Sequence, residues 1–463
     1  MKQLSGLDAT FLYLESPQTP MHVGGLHLYA LPKGFKGDFS KVVREHIRRR
    51  LHLAPIFTNR LLFMPFDIGH PAWRTDPNVD LDYHIRRVSL PKPGTLAQLE
   101  AACAKLHMQL IDRNRPLWEF YVFTGLKTKQ IGFYTKVHHA ALDGQAGTAL
   151  ANAVLDISPK PRTVAPRDAS RSIKATPIPG VGTLLSAAFS NTLAQYAKIV
   201  RSLPAAASAI SGAISKSSGS AKSGNSILAP RTVFNTSLST QRVFVTAAMD
   251  LSRAKSIGKS LEASLNDVVL FVCSTALRNY LLLHDALPRK SLVAAMPVSL
   301  RAAGDKELNN QSSMMLVSLG TQYAEPKRRL TAILESTAKI KDGLQKLKSL
   351  MPTDYPSLLA PWLVGGIASA YNRSGIASSL PMPANVVISN VPGPTAPLFL
   401  AGAQMLTFHP VSIIVHGIAL NITVQSYAGS IDFGLIACKK AVPDLRKLAA
   451  ALNDALDELE ALV

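Results

Sequence analysis

The densest grouping of chemically able side chains in the sequence is Val137-His138-His139-Ala140-Ala141-Leu142-Asp143-Gly144. An imidazole titrates near pH 6.5, so a histidine here can take up and release a proton near neutrality as a general base. Asp143, four residues beyond His139, can pair with the imidazole or bond an arginine and so fix the loop; both arrangements fit the spacing. Adjacent histidines can also ligate a metal, but no further His, Cys, Asp or Glu stands at ligand spacing, and no metal is expected. There is no G-x-S-x-G elbow, no P-loop and no dinucleotide fingerprint, which sets aside serine-triad hydrolases and the commonest nucleotide enzymes. What remains is a base without a protein nucleophile. Such a base suits direct transfer, in which a substrate hydroxyl loses its proton and attacks an activated carbonyl.

The elements around this run can place it. Residues 131–137 read as an apolar strand that delivers the histidines to a strand end, and residues 144–155 read as the helix that follows. Small residues at Ala140, Ala141, Gly144, Ala146 and Gly147 let backbones approach closely. Upstream, HVGGLHLYAL is strand-like, DFSKVVREHIRRRL is a helix opening on an Asp or Ser cap, and residues 117–126 form another strand. From about residue 241 a second set begins: RVFVTAAMDL as strand, SRAKSIGKSL as helix, residues 266–283 as a long apolar helix, SLVAAMPVSL as a buried strand and residues 326–350 as a basic amphipathic helix. Between the sets, Pro, Ser, Ala and Lys dominate. Leu185, Phe189, Leu193, Tyr196, Val200 and Leu203 fall there on one helical stripe, which can pack on protein or lie on a membrane surface. The expectation is two mixed α/β halves, 1–160 and 236–463, joined by a basic linker, 161–235.

Composition narrows the classes. The 463 residues include 50 Lys+Arg against 30 Asp+Glu, a net charge of +20, with 47% hydrophobic and 17% charged residues, which argues for compact folding. Cys103, Cys273 and Cys438 lie far apart, so neither a disulfide framework nor a structural zinc site is expected. Between Pro161 and Pro230 eight Lys/Arg face Asp168 alone, and Arg44, Arg48, Arg49 and Arg50 form another basic knot. Neither cluster is interleaved with aromatics as single-strand nucleic-acid binders require; anionic lipid, a phosphate-bearing substrate or a solvated face fits instead. From Ser374 to Ile431 no Asp, Glu, Lys or Arg occurs, yet prolines and the β-branched clusters VSIIV and NITV make this region buried strands and apolar lining, not a membrane span. The opening MKQLSGLDATFLYLESP lacks the apolar run of a secretory signal, and a cytoplasmic setting is expected.

At HHAALDG the chain resembles the HHxxxDG acyltransferases. Further stretches narrow the resemblance to the bacterial wax ester synthase/diacylglycerol acyltransferase family: PMHVGGL (20–26), RPLWE (115–119), NDVVL (266–270), PVSLR (297–301), SNVPGP (389–394) and HGIALNITVQSY (416–427). The likeness runs from Leu4 to the final helix in order. It implies two chloramphenicol-acetyltransferase-like halves, with the active site and a substrate tunnel at their junction. It implies His139 as the base, Asp143 orienting the loop, Gly144 permitting the turn and His138 in support. Asn266 becomes a candidate to stabilise the thioester oxyanion, or alternatively a helix N-cap. Pro116, Leu117 and Trp118, with Ser389, Asn390, Pro392 and Gly393, become structural support.

The implied reaction transfers a fatty acyl group from acyl-CoA, a co-substrate and no bound cofactor, to a long-chain alcohol or to diacylglycerol. The protein is expected to touch a membrane or lipid-body surface peripherally, without a transmembrane helix and without nucleic acid. Two alternatives share features with it: amide or ester formation on carrier proteins by a condensation-type domain, and non-catalytic lipid binding. Asp432-Phe433-Gly434 resembles the DFGWG of plant acyltransferases, but Leu435 follows where that motif has Trp.

Overall fold

The computed structural model describes residues 3–64, 70–142, 144–166, 228–299, 312–347 and 382–463. The first half runs α1 (Gly6–Leu14), β1 (His22–Ala30), α2 (Phe39–Arg48), β2 (Asn59–Leu62), β3 (Ala72–Thr75), α3 (Leu81–His84), β4 (Ile85–Ser89), α4 (Leu96–His107), β5 (Trp118–Thr124), β6 (Ile131–His138) and α5 (Gly144–Val154). The second runs β7 (Arg242–Asp250), α6 (Leu251–Ser260), α7 (Leu265–Leu283), β8 (Val293–Ser299), β9 (Ser312–Ser318), α8 (Pro326–Leu347), β10 (Val386–Val391), β11 (Phe399–Leu400), β12 (Ala403–Val411), β13 (Leu420–Tyr427), β14 (Ser430–Cys438) and α9 (Leu445–Glu460). Most of the expected elements that fall on described residues are present at nearly the expected limits. Asp38 caps α2 by accepting from the Ser40 amide at 2.9 Å, satisfying an N–H the helix leaves unpaired.

Two six-stranded sheets form the body, in the orders β11-β12-β1-β6-β5-β4 and β7-β14-β13-β10-β8-β9. The first sheet draws β11 and β12 from the second half of the chain, with Gly24 opposite Val411 and Ala30 opposite Gln404. The halves are therefore interlocked. Behind the second sheet, α7 buries Val268 through Leu277 against α9 and the strands, so the long apolar helix is a core helix. Among the described residues no single helix is long and apolar enough to cross a membrane.

The sheets approach each other where β12 meets β14. A Cβ on Gly434 would fall 1.6 Å from the Pro410 carbonyl oxygen, so only glycine permits the crossing. Asp432, two residues earlier, accepts the Phe408 amide at 2.6 Å. The Asp-Phe-Gly stretch thus joins the sheets. Glu100 of α4 adds a second tie, accepting the Thr246 amide at 2.8 Å and its hydroxyl at 2.7 Å.

Three expectations are amended. VSIIV does not form a strand: β12 ends at Val411, and the chain doubles back through an isolated bridge between Val415 and Ile418 before β13. Phe234 and Asn235, expected in the linker, are buried in the second half, Asn235 donating to the Ala384 and Gly417 carbonyls at 2.9 Å each. Part of the arginine knot is used for internal pairing, while Arg48 and Arg49 stay exposed. Arg50 is buried with both oxygens of Asp156 within 3.0 Å, Arg48 and Arg49 share Glu45, and Arg44 meets Asp82 at 3.1 Å. The striped helix expected over 185–203 lies outside the described residues.

Candidate active site

Strand β6 ends at His138, and His139 opens a single 3₁₀ turn, His139–Ala141. The neighbouring strands fix this point from both sides. The His138 amide donates to the Leu117 carbonyl at 3.0 Å, and the His139 amide to the Met21 carbonyl at 2.8 Å. Pro116, Leu117 and Trp118 therefore stand beside the histidines, with Trp118 opposite Val137 in the β5–β6 register. Leu117 and Ala140 share a small apolar cluster with Leu4, Ala9 and Leu12 of the opening segment. Trp118 is locked, its indole donating to the Phe57 carbonyl at 3.2 Å and its ring stacked 4.3 Å from that of His84.

The two histidines are in different situations. His138 is fully buried; its Nδ1 accepts the Ala140 amide at 3.1 Å, and its Nε2 lies 3.3 Å from Glu15 Oε1. His139 is partly exposed, with its ring stacked on Phe11 of α1 at 3.9 Å between centroids and 19° between planes. Its Nδ1 is buried without a hydrogen-bond partner among the described residues. Protein closes around most of the ring, and that burial, with a smaller contribution from the neighbouring His138, pushes the imidazole down to about 4. At neutral pH His139 is therefore uncharged and able to accept a proton.

Glu15, just past the end of α1, was not singled out from the sequence. Its side chain is 2% exposed. Oε1 meets His138 Nε2 at 3.3 Å, His22 Nε2 at 3.2 Å and the Met21 amide at 3.2 Å, while Oε2 accepts from Arg113 Nε and a terminal guanidinium nitrogen at 3.2 and 2.9 Å. The two imidazole approaches are charge contacts, since neither N–H points straight at the oxygen. Burial works against the Glu15 charge, but contacts with His138 and then His22 outweigh it and hold the carboxyl well below the usual carboxylate range. His22 passes the network on, its Nδ1 lying 3.0 Å from the His107 carbonyl, and His107 Nδ1 meets the Tyr134 hydroxyl at 2.6 Å. Beside it, Lys136 and Glu119 form a buried ion pair at 2.8 Å. His22 and Glu119 fall inside PMHVGGL and RPLWE; Glu15 stands outside every quoted motif, and no spacing in the sequence marks it.

The remaining candidates lie elsewhere. Asn266 is the second residue of α7; the helix is capped by Ser264 in a capping box with Asp267, so the N-cap alternative for Asn266 is corrected. Its amide donates to Met296 Sδ at 3.7 Å. Ser389 and Asn390 lie on β10, paired in parallel with Thr423 and Val424 of β13. Pro392 and Gly393 follow, with the Gly393 amide donating to Ser426 Oγ at 3.0 Å and no room for a Cβ beside the Ser426 carbonyl, 2.0 Å away. No hydrogen bond or ion pair joins Asn266 or the Ser389–Gly393 turn to the histidines among the described residues. Asp143 lies outside the described residues, and Gly144 is the first residue of α5. Among the described residues no group of His, Cys, Asp or Glu could hold a metal ion.

Comparison with known proteins gives one consistent result. Residues 4–269 match the model of the wax ester synthase/diacylglycerol acyltransferase catalytic domain, and residues 308–460 match that of the C-terminal domain of the same family. A probable diacylglycerol O-acyltransferase of Mycobacterium tuberculosis is 34% identical, covering 98% of each chain. The O-acyltransferase WSD of Acinetobacter baylyi is 33% identical over 100% of this chain and 98% of its own. Among solved structures, the wax ester synthase/diacylglycerol acyltransferase of Marinobacter aquaeolei VT8 superposes with a TM-score of 0.70 at 30% identity over 99% of both chains. The starter condensation domain of rhizomide synthetase shares the fold at 13% identity and a TM-score of 0.56, over 100% of this chain and 94% of that one.

Proposed function

The chain belongs to the wax ester synthase/diacylglycerol acyltransferase family and is an acyltransferase, and from that premise we propose that it moves a fatty acyl group from acyl-CoA to a long-chain alcohol or to diacylglycerol. The products are a wax ester or a triacylglycerol, with free CoA. The observation that carries this reading is His139: uncharged, partly open, and held at a strand end by backbone bonds from both neighbouring strands.

The chemistry follows from that state. With Nδ1 sealed from solvent, Nε2 is the nitrogen offered to substrate. The acceptor hydroxyl gives its proton to Nε2 as its oxygen attacks the thioester carbonyl. The tetrahedral intermediate collapses, the C–S bond breaks, and the CoA thiolate takes the proton back from His139. A base titrating near 4 cannot hold a proton before attack, so transfer proceeds together with C–O bond formation, and growing negative charge on the intermediate stabilises the imidazolium. Asn266 is the candidate donor to the oxyanion, since Ser264 already caps the helix and leaves its amide uncommitted to that task. Asp143 orients the loop and Gly144 permits its turn into α5. No bound cofactor or metal takes part in this scheme.

The basic stretch between Pro161 and Pro230 is assigned to peripheral contact with an anionic membrane or lipid-body surface on the cytoplasmic side, on the strength of its excess of Lys and Arg. Sedimentation with anionic vesicles checks this: binding falls as salt rises, whereas salt-insensitive binding or none contradicts it.

The test of the reaction is purified protein with palmitoyl-CoA and either hexadecanol or diacylglycerol, following free CoA. Acceptor-dependent release of CoA is expected. Its absence with both acceptors favours the lipid-binding alternative.

A further inference from the structure

Phe11 and Glu15 are four residues apart at the end of α1 and meet the two histidines of one motif. Phe11 covers the face of His139, at 3.9 Å between ring centroids. Glu15 touches His138, at 3.3 Å from Nε2. His138 in turn accepts the Ala140 amide on Nδ1 at 3.1 Å, and Ala140 is the middle residue of the turn that His139 opens. An imidazole whose Nδ1 accepts an amide proton carries its own proton on Nε2 when neutral, and that nitrogen lies 3.3 Å from the carboxylate. Each link constrains the next: carboxylate, ring, amide, turn.

Glu15 is itself held. Arg113 reaches it with two nitrogens at 3.2 and 2.9 Å and also donates to the Leu12 carbonyl at 2.7 Å, so the carboxylate cannot rotate without breaking contact with α1. The Met21 amide, which donates to Glu15 Oε1 at 3.2 Å, belongs to the residue whose carbonyl receives the His139 amide at 2.8 Å. Glu15 therefore reaches His139 by two routes, one through His138 and Ala140 and one through Met21. A charged carboxylate that is 2% exposed is costly to bury, and a hydrophobic fold does not need one at a helix end.

We infer that Glu15 is a positioning residue for acyl transfer, fixing the tautomer and place of His138 and thereby the turn that presents His139 to the acceptor hydroxyl. It touches no substrate. The inference rests on the general-base reading of His139. Loss of the carboxylate charge loosens the turn, and a base displaced by a fraction of an ångström loses rate more than substrate affinity.

The experiment uses the full chain with palmitoyl-CoA and hexadecanol or diacylglycerol, in wild type, Glu15→Gln, Glu15→Asp and His139→Ala. Glu15→Gln is expected to lower kcat by roughly 10- to 100-fold with KM for palmitoyl-CoA within about twofold, and Glu15→Asp to recover part of the loss. Wild-type kcat in folded Glu15→Gln overturns the inference, as does a loss seen only in melting temperature. If His139→Ala turns over as wild type does, the general-base reading itself fails; if His139→Ala is inactive and Glu15→Gln is not, only the positioning role fails. Should Glu15→Gln not fold, folded Glu15→Asp decides: a lowered kcat with KM for palmitoyl-CoA unchanged supports the clamp, and wild-type kcat overturns it.

Discussion

Phe11 lies face to face with His139, 3.9 Å between ring centroids, and helps keep the imidazole from water. That stack accounts for part of the burial that pushes His139 down to about 4. Phe11→Ala opens the ring to solvent and moves its pKa back toward 6.5. The acid limb of the kcat/KM profile, which reports the free enzyme's base, is expected to shift to higher pH. A limb that stays in place contradicts the assignment of the burial to Phe11.

Ser264 caps α7, so the oxyanion role proposed for Asn266 can be tested apart from the cap. Ser264 accepts the Asp267 amide and Asp267 returns to the Ser264 amide at 2.9 Å. Ser264→Ala is expected to cost about 1 kcal/mol of stability with kcat retained. Asn266→Ala is expected to lower kcat more than about tenfold with the melting temperature little changed. Equal kcat in Asn266→Ala removes it from the oxyanion site.

Acid stability follows from the buried imidazoles. Burial pushes His139 down to about 4 and His27 to about 3, and lowers His84 and His46 as well. A histidine lowered in the folded state binds its proton in the unfolded chain first. Its contribution is therefore complete above pH 6.5 and is lost as pH falls from 6.5 toward the folded value. At pH 5 each ring that stays neutral costs the fold up to about 2 kcal/mol. The urea midpoint should drop sharply between pH 7 and pH 5, a window above the carboxylate range; a midpoint that holds steady sinks this account.

Gly434 lets β14 pass the Pro410 carbonyl, 1.6 Å from where a Cβ would sit. Gly434→Ala must separate the two sheets, and little soluble protein is expected. Gly429 has φ +93 but nothing within 4 Å of a Cβ, so Gly429→Ala should cost only about 1–2 kcal/mol of backbone strain. Equal yields and melting temperatures for the two variants contradict the role given to the crossing.

Much of this was legible along the chain because it is local. The apolar run of 131–137 and the small residues after His139 mark a strand that ends at the site, and β6 does end at His138. Asp38 before an apolar-periodic stretch marks the start of α2. Contacts between distant segments left no such trace. Glu15 meets His138 from the far side of the first sheet's sequence, and nothing in the spacing of either residue announces the other. The same holds for β12, whose apolar sequence fits either sheet and which pairs with β1 of the other half. The partners of the arginine knot were hidden for the same reason: Arg44 and Arg50 meet the distant Asp82 and Asp156, while Arg48 and Arg49 stay exposed and share the nearby Glu45. Ser264-x-x-Asp267 is a capping-box spacing legible in the sequence, and it puts the cap at Ser264 rather than Asn266.

The central claim is that the neutral imidazole of His139 takes the acceptor's proton. Its most direct test is His139→Ala, measured at once for palmitoyl-CoA binding and for acceptor-dependent CoA release with hexadecanol and with diacylglycerol. The account predicts binding close to wild type and CoA release lost with both acceptors. Retained turnover in His139→Ala would contradict it.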